Sequence, residues 1–229
     1  FPLMIFAAGF GTRMGALTAE RPKPLIPVAG RALIDHALET GQRAGVTRTV
    51  VNTHYRADQM AAHLEGRDVA ISHESGQILE TGGGLKAALP LLGEGPVAIL
   101  NSDGIWTGAN PLQELAAAWD ASRMEALLLL LPLADTLAHG PKGDFRLAPD
   151  GRIHRGTGGE DHVYIGAQIL HPARIAATPD AVFSLNKPWT EMIAAGTAYG
   201  LLHHGGWCDV GHPEGIAAAE ALLHSAQDD

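Results

Sequence analysis

A short apolar run that ends in two glycines constrains the fold of this chain more than any other stretch. Leu3 to Phe6 has the composition of a buried strand, and Gly9 and Gly11 follow it closely. Because glycine lacks a Cβ atom, successive backbone N–H groups in such a turn can point at one anion. The pattern predicts a sheet whose first strand leads into a phosphate-binding loop. The loop residues expected to bind a nucleotide are Ala7, Ala8, Gly9, Gly11 and Thr12.

The residues after the two glycines exclude two common types of phosphate loop. A dinucleotide-binding loop needs a third glycine where this chain has Met14, and it must run directly into a helix. Three prolines within residues 22–27 prevent a continuous helix, and no Gly-Lys-Ser/Thr follows the glycines. We therefore expect a long, extended loop in which Arg13 and Lys23 fold back over a triphosphate.

The length and charge of the chain limit its architecture and its partners. Its 229 residues suffice for one sizeable α/β domain, and a hydrophobic content of 46% is incompatible with general disorder. A formal net charge of −9 disfavours nonspecific nucleic-acid binding. The apolar N-terminus lacks the features of a signal peptide, and the leucine-rich run 126–133 is too short for a membrane helix. We expect a cytoplasmic enzyme that acts away from membranes and is a monomer or a small homo-oligomer.

Strand-like and helix-like segments alternate along the chain, which is typical of a doubly wound, mostly parallel sheet. Helices are expected at 33–44, 57–64, 80–93, 110–121, 183–189 and 213–226, and strands at 47–53, 69–72, 96–100, 125–133, 163–170 and 197–203. A hairpin is expected over 145–153 and a loop over 157–162. Asn186 is expected to cap the helix that begins there. The apolar strand 96–100 delivers Asp103 to the carboxyl edge of the sheet, where it could hold a divalent ion.

Two stretches of this sequence resemble the sugar-1-phosphate nucleotidyltransferases. The stretches are AAGFGTRMGALTAERPKPLIPVAG and WCDVGHPE, in which Ala16 and His212 stand where the family usually has Pro and Thr. Outside these stretches, Ser102 stands before Asp103 where the family commonly has Gly. The resemblance implies a single-domain, Rossmann-like mixed sheet that is mostly parallel and flanked by helices. A nucleotide-binding part would span about 1–110 and a sugar-binding part about 111–229. The reaction implied joins a nucleoside triphosphate and a sugar 1-phosphate into a nucleotide sugar, with release of pyrophosphate.

The resemblance also implies roles for individual residues. Arg13 and Lys23 would be catalytic, and Asp103 and Asp209 would bind Mg²⁺. Gly82 and Gly83 would hold the nucleobase, with a flexible turn as the alternative. The sugar-binding residues would be Glu80, Gly166, Asn186 and Lys187. For Gly166 a packing role is the alternative, and for Lys187 a solvated helix end.

The substrates are less closely defined than the reaction. The short build and the ETGGG and WCDVG runs are most similar to the N-acetylmuramate-1-phosphate uridylyltransferases of cell-wall recycling, which implies UTP as the nucleotide. Mannose or glucose 1-phosphate with GTP, UTP or dTTP is the alternative. A noncatalytic nucleotide-sugar sensor is a competing class. It is disfavoured because a sensor could lose the two aspartates or Lys23, whereas this chain keeps Arg13, Lys23, Asp103 and Asp209. The scattered histidines do not indicate a zinc site, and we interpret Cys208 as a packing residue.

Overall fold

The computed structural model describes residues 1–155 and 160–226, and its centre is a seven-stranded sheet in the order β12-β8-β11-β6-β1-β4-β5. The strands in chain order are β1 (Pro2–Phe6), β2 (Pro27–Val28), β3 (Arg31–Ala32), β4 (Arg48–Thr53), β5 (Ala70–His73), β6 (Val97–Asn101), β7 (Gly104–Trp106), β8 (Ala126–Pro132), β9 (Arg146–Leu147), β10 (Ile153–His154), β11 (His162–Leu170), β12 (Ala198–Leu202) and β13 (Trp207–Asp209). Within the central sheet β11 pairs antiparallel with β6 and β8, whereas the other neighbouring pairs are parallel. The expected mixed, mostly parallel sheet is confirmed.

Helices cover both faces of the sheet. They are α1 (Leu33–Ala44), α2 (Ala57–Leu64), α3 (Glu80–Leu92), α4 (Pro111–Ala118), α5 (Ala173–Ala177), α6 (Asn186–Ala195) and α7 (Pro213–Ser225). Apolar residues of α1, α2 and α4 belong to the core on one face, and those of α3, α5 and α6 to the core on the other. Since successive strand residues point to opposite faces, the leucine run of β8 supplies both cores and is buried throughout.

A two-stranded sheet outside the main one brings the C-terminal segment to the carboxyl edge of the central sheet. β7 pairs antiparallel with β13, with Gly104 opposite Asp209. Helix α7 then packs its Ala219 into a third apolar cluster with Met14, Ile105 and Cys208. This cluster ties the glycine loop, β7 and the C-terminal helix together. It explains why Cys208 is buried, and burial raises the pKa of its thiol to about 11.

Most of the expected elements are present, with three corrections. The segment after the glycines is not extended, because Thr12–Thr18 and Lys23–Leu25 form short 3-10 helices. Asn186 is the first residue of α6 rather than its cap, and its N–H is donated to the Ser184 hydroxyl. The loop expected at 157–162 falls partly outside the described residues, and His162 already belongs to β11. Among the described residues no helix combines the length and apolarity needed to cross a membrane.

Candidate active site

The glycine loop leaves the end of β1 and is fixed at its base and at its turn. Ala7 and Ala8 are buried, and the Ala7 N–H donates to Asn52 Oδ1 over 2.7 Å. Gly11 has φ +65°, a conformation that L side chains rarely adopt. A Cβ atom on Gly11 would lie 2.8 Å from Lys23 Cβ, so the glycine also makes room for the lysine-bearing segment. The two halves of the sequence motif therefore pack directly on each other.

A cavity opens between the glycine loop, the carboxyl ends of β1, β4 and β6, and the start of α3. We name it the glycine-loop cavity. It is lined by Phe6, Ala7, Ala8, Gly9, Lys23, Pro24, Asn52, Glu74, Ile78, Glu80, Thr81, Asn101, Ser102 and Asp103. Open α/β sheets bind ligands at this edge, because backbone groups and loop residues from several strands meet there.

Lys23 crosses from the proline-rich segment to the carboxyl edge of the sheet. Its Nζ lies 2.7 Å from Asp103 Oδ2, and the two side chains are only 11% and 27% exposed. Asp103 follows β6 directly, and its carbonyl accepts the Val210 N–H over 2.9 Å. The predicted catalytic lysine and one predicted metal ligand are thus in direct contact.

The second predicted ligand faces the same place. Burial raises the pKa of Asp209, and the nearby Asp103 carboxylate raises it further, while Lys23, Arg13 and His139 oppose the shift. Two carboxylates that repel each other beside a cavity fit a hard divalent cation. No group of three or more His, Cys, Asp or Glu within the described residues is arranged to hold a metal. Two carboxylates are enough to hold a divalent cation when a bound molecule supplies further oxygen ligands.

A second cavity shares Asn101 and Asp103 with the glycine-loop cavity. We name it the aspartate cavity. It is lined by Arg13, Asn101, Asp103, Gly104, His139, Tyr164, Ile165, Gly166, Trp207 and Asp209. Asn101 and Asp103 line both cavities, so a ligand in one can meet a ligand in the other at these two residues.

Gly166 interrupts β11 at a bulge beside the aspartate cavity. The pairing with β8 shifts between Tyr164 and Gln168, and Gly166 has φ +77°. A Cβ there would lie 3.1 Å from the side chain of Asn101. The glycine therefore serves both packing and the cavity wall.

We expect Gly166→Ala to lower the free energy of unfolding by about 1–2 kcal/mol because of the positive φ. It should also raise KM for the sugar 1-phosphate more than KM for the nucleotide. Steady-state kinetics and denaturant titration measure both effects. Gly151→Ala is the control, since Gly151 also has a positive φ, of +84°, and is not among the residues that line either cavity. A variant with unchanged sugar KM would restrict Gly166 to a structural role.

Some of the other predicted site residues line one of the two cavities, and the others do not. Arg13 lines the aspartate cavity, whereas Glu80, expected to bind the sugar together with Gly166, lines the glycine-loop cavity. Thr12 is exposed at the start of a 3-10 helix. Lys187 pairs with Asp180 over 2.6 Å, with both side chains about half exposed.

Gly82 and Gly83 make their contacts inside the protein. Both are buried inside the first turns of α3, and their N–H groups donate to the Phe183 carbonyl. A Cβ on Gly82 would lie 2.4 Å from the Phe183 ring, and one on Gly83 would lie 2.2 Å from the Ala181 carbonyl oxygen. Their N–H groups are therefore used within the protein. Among the described residues, Glu80 and Thr81 are the part of this run that reaches the glycine-loop cavity. Asn186 accepts a hydrogen bond from Arg155 over 2.9 Å. Like Gly82 and Gly83, it is not among the residues that line the two cavities.

Three further residues at these cavities were not expected from the sequence. Asn52 and Glu74 follow or end neighbouring parallel strands, and polar residues at such strand ends are a usable signal. His139 lies in a loop rich in Gly and Pro, and nothing in its sequence context marks it. Its ring centroid is 5.9 Å from that of Trp207.

Comparison with known proteins identifies relatives over nearly the whole chain. Residues 3–130 match the family of MobA-like NTP transferase domains. The N-acetylmuramate alpha-1-phosphate uridylyltransferase of Caulobacter vibrioides is 45% identical over 97% of both chains, and the enzyme of that name from Neisseria meningitidis is 34% identical over 96% of both. HddC from Yersinia pseudotuberculosis, crystallised with GMP-PN, superimposes with a TM-score of 0.79 over 97% of this chain and 99% of its own. Its sequence identity is 20%, so that likeness concerns the fold alone.

Proposed function

The chain belongs to the sugar-1-phosphate nucleotidyltransferases, and we propose that it transfers uridine monophosphate from UTP to N-acetylmuramate 1-phosphate, releasing pyrophosphate. The observation that carries the proposal is the meeting of Lys23, Asp103 and Asp209 between two cavities, one beside the glycine loop and one beside Gly166. The choice of sugar and base follows the relatives that are 45% and 34% identical over almost their full length.

The chemistry needs positioning and charge neutralisation rather than a protein nucleophile. A phosphate oxygen of the sugar 1-phosphate attacks the α-phosphorus, its new P–O bond forms, and the bond to the pyrophosphate oxygen breaks on the opposite side. Both reactants are anions, so cationic groups in a preorganised site lower the barrier. Lys23 would contact the α-phosphate. Arg13, with its planar fork, would bind the departing pyrophosphate.

Asp103 and Asp209 would hold Mg²⁺, with Asp103 also orienting Lys23 through their 2.7 Å ion pair. When bound, the cation would neutralise phosphate charge and help align the reacting groups. The raised pKa of Asp209 supports this assignment, because a cation would relieve the repulsion between the two carboxylates.

The two cavities support the proposed division into a nucleotide-binding part and a sugar-binding part. Every lining residue named for the glycine-loop cavity precedes residue 110, whereas the aspartate cavity draws residues from both parts. Glu80 and Thr81 would face the nucleotide, and Gly166 would lie against the sugar.

His139 would bind the sugar phosphate, the role that we first expected of Lys187. It shares the aspartate cavity with Arg13 and influences Asp209 electrostatically. Trp207 lines the same cavity, and its indole Nε1 is buried without an acceptor in the described structure. A buried donor without a partner is unfavourable, and a sugar or phosphate oxygen would satisfy it.

We expect His139→Ala to raise KM for the sugar 1-phosphate about tenfold, because one hydrogen bond to a charged group is lost. KM for UTP should be nearly unchanged. Initial rates at varied sugar 1-phosphate measure this. His204→Ala is the control, because its side chain is 80% exposed and is not among the residues that line either cavity. An equal change in both KM values would contradict the assignment.

The proposed function is tested with a matrix of nucleoside triphosphates and sugar 1-phosphates, scored by pyrophosphate release with Mg²⁺. We expect the highest kcat/KM with UTP and N-acetylmuramate 1-phosphate. GTP with mannose 1-phosphate, or dTTP with glucose 1-phosphate, would be the preferred pair if the alternative were correct. Nucleotide binding without pyrophosphate release would indicate a sensor. A cytoplasmic enzyme of cell-wall recycling is the setting that these substrates suggest.

A further inference from the structure

Glu74 is a carboxylate that is buried at the glycine-loop cavity, and within the described residues its side chain accepts hydrogen bonds from neutral groups. Glu74 is 2% exposed and directly follows β5 at the carboxyl edge of the sheet. Oε1 accepts a hydrogen bond from Asn52 Nδ2 over 2.7 Å, and Oε2 accepts the Leu79 N–H over 2.8 Å. Asn52 is 3% exposed. Burying a carboxylate costs desolvation free energy. We therefore expect its hydrogen bonds to have a role that a neutral side chain could not fill.

Asn52 and Glu74 connect the two walls of the cavity in one chain of hydrogen bonds. The Ala7 N–H at the base of the glycine loop donates to Asn52 Oδ1 over 2.7 Å. Asn52 donates to Glu74, and Glu74 accepts from Leu79 immediately before α3. The next two residues of the chain, Glu80 and Thr81, line the cavity. The side chains of Asn52 and Glu74 thus set the spacing between the glycine loop and the start of α3.

Gly84 shows that the fold is built around this pair. A Cβ atom on Gly84 would lie 2.6 Å from Glu74 Oε1 and 2.9 Å from Asn52 Nδ2. Gly84 is in mid-helix, where glycine is unfavourable relative to alanine. The last glycine of the ETGGG run therefore accommodates the Asn52–Glu74 contact, whereas Gly82 and Gly83 accommodate the 181–183 segment.

We propose that Asn52 and Glu74 are positioning residues for the nucleoside triphosphate, a role that rests on the proposed function of the cavity. The chain begins and ends at backbone N–H groups, so both of its ends must be acceptors. An amide at 52 and a carboxylate at 74 meet this requirement. A carboxylate at 52 and an amide at 74 meet it equally well, since the amide then donates in the opposite direction.

The two remaining combinations, two amides or two carboxylates at positions 52 and 74, cannot complete the chain of hydrogen bonds. With amides at both positions, every orientation of the two side chains leaves two donors facing each other somewhere in the chain. With carboxylates at both positions, two anions face each other in a buried site. Because Asn and Asp have the same shape, as do Glu and Gln, substitutions can test the hydrogen-bond pattern without changing the packing.

The test compares Glu74→Gln, Asn52→Asp and the double variant by calorimetric titration with UTP and by kinetics. We expect each single variant to weaken UTP binding about tenfold or more, with KM for the sugar 1-phosphate almost unchanged. The double variant should return UTP binding to within about threefold of the wild type. Glu220→Gln is the matched control, because that carboxylate accepts the Ala29 N–H at an exposed position where an amide oxygen can replace it.

Two results would overturn the inference. The effects of the single variants could add in the double variant, or the single variants could lower only the melting temperature while the folded protein binds UTP normally. Titration needs no turnover, so the outcome is separate from that of the transferase assay. If the wild type binds UTP without releasing pyrophosphate, the proposed reaction fails while the positioning role is still measured.

Discussion

Replacing Asp209 with asparagine is expected to abolish turnover and at the same time to raise the melting temperature of the metal-free protein. Turnover should fall at least about a hundredfold, because one of two carboxylates for the divalent cation is lost. The folded metal-free protein should gain, because asparagine removes both the burial of a charge and its repulsion by Asp103. Each kcal/mol gained would raise the melting temperature by about 2–4 °C.

The pH dependence of this gain has a defined sign. The pKa of Asp209 in the folded protein is raised above its usual value of 3.8, so the fold favours the protonated form. Stability is therefore lost as pH rises through the folded-state pKa, and the penalty is fully present above that pKa. Below about pH 3.8 the carboxyl is protonated in both states, and the wild type and Asp209→Asn should converge.

Thermal denaturation with a chelator, over a range of pH, measures this difference. Added Mg²⁺ and UTP should stabilise the wild type more than the variant, since only the wild type keeps both carboxylates. Asp161→Asn is the control, because that side chain is 70% exposed. If Asp209→Asn lowered the melting temperature at neutral pH, or kept near-normal turnover, Asp209 would not have the role assigned to it.

Lys23→Met is expected to be nearly as damaging to turnover but to have the opposite effect on stability. The substitution keeps most of the aliphatic stem that packs against Gly11 and removes the ammonium group 2.7 Å from Asp103. The reacting phosphates then lose a cation in a partly buried site, and we expect kcat to fall about a hundredfold or more. The metal-free protein should become less stable, because Lys23 is one of the groups that counter the repulsion at Asp209.

The double variant Lys23→Met with Asp209→Asn separates these contributions. Its melting temperature should recover relative to Lys23→Met alone, since one of the two repelling carboxylates has become neutral. Its turnover should be little worse than that of Asp209→Asn, because groups that act together in catalysis are not additive. Independent, additive losses in both turnover and stability would mean that Lys23 and the aspartates do not form one site.

Local sequence patterns were sufficient for the strands of the central sheet and for most of the helices. The apolar spacing of 33–44 ended at a glycine, and α1 does end there, with Gly45 at φ +70°. The leucine run of β8 was predicted as a buried strand because it is apolar throughout and too short to cross a membrane as a helix. Elements of this kind depend on contacts within a few residues, which a sequence displays directly.

Roles that depend on distant partners were predicted less well. Gly82 and Gly83 read as a ligand-binding turn, yet their missing side chains make room for the 181–183 segment, about a hundred residues later in the chain. A glycine needed for close packing and a glycine needed for a ligand look alike in the sequence.

The sequence by itself determined the doubly wound sheet, the glycine loop with its two cations, and the aspartates available for a metal. These follow from residue type and spacing, and for Asp209 from the resemblance of its surroundings to a family motif. Only the tertiary structure decided which polar groups share a cavity. The pairing of β7 with β13 brings Asp209 beside Asp103, and neighbouring strand ends bring Asn52 to Glu74. Such contacts join residues far apart in the chain, so they exist only after the sheet and its helices have packed.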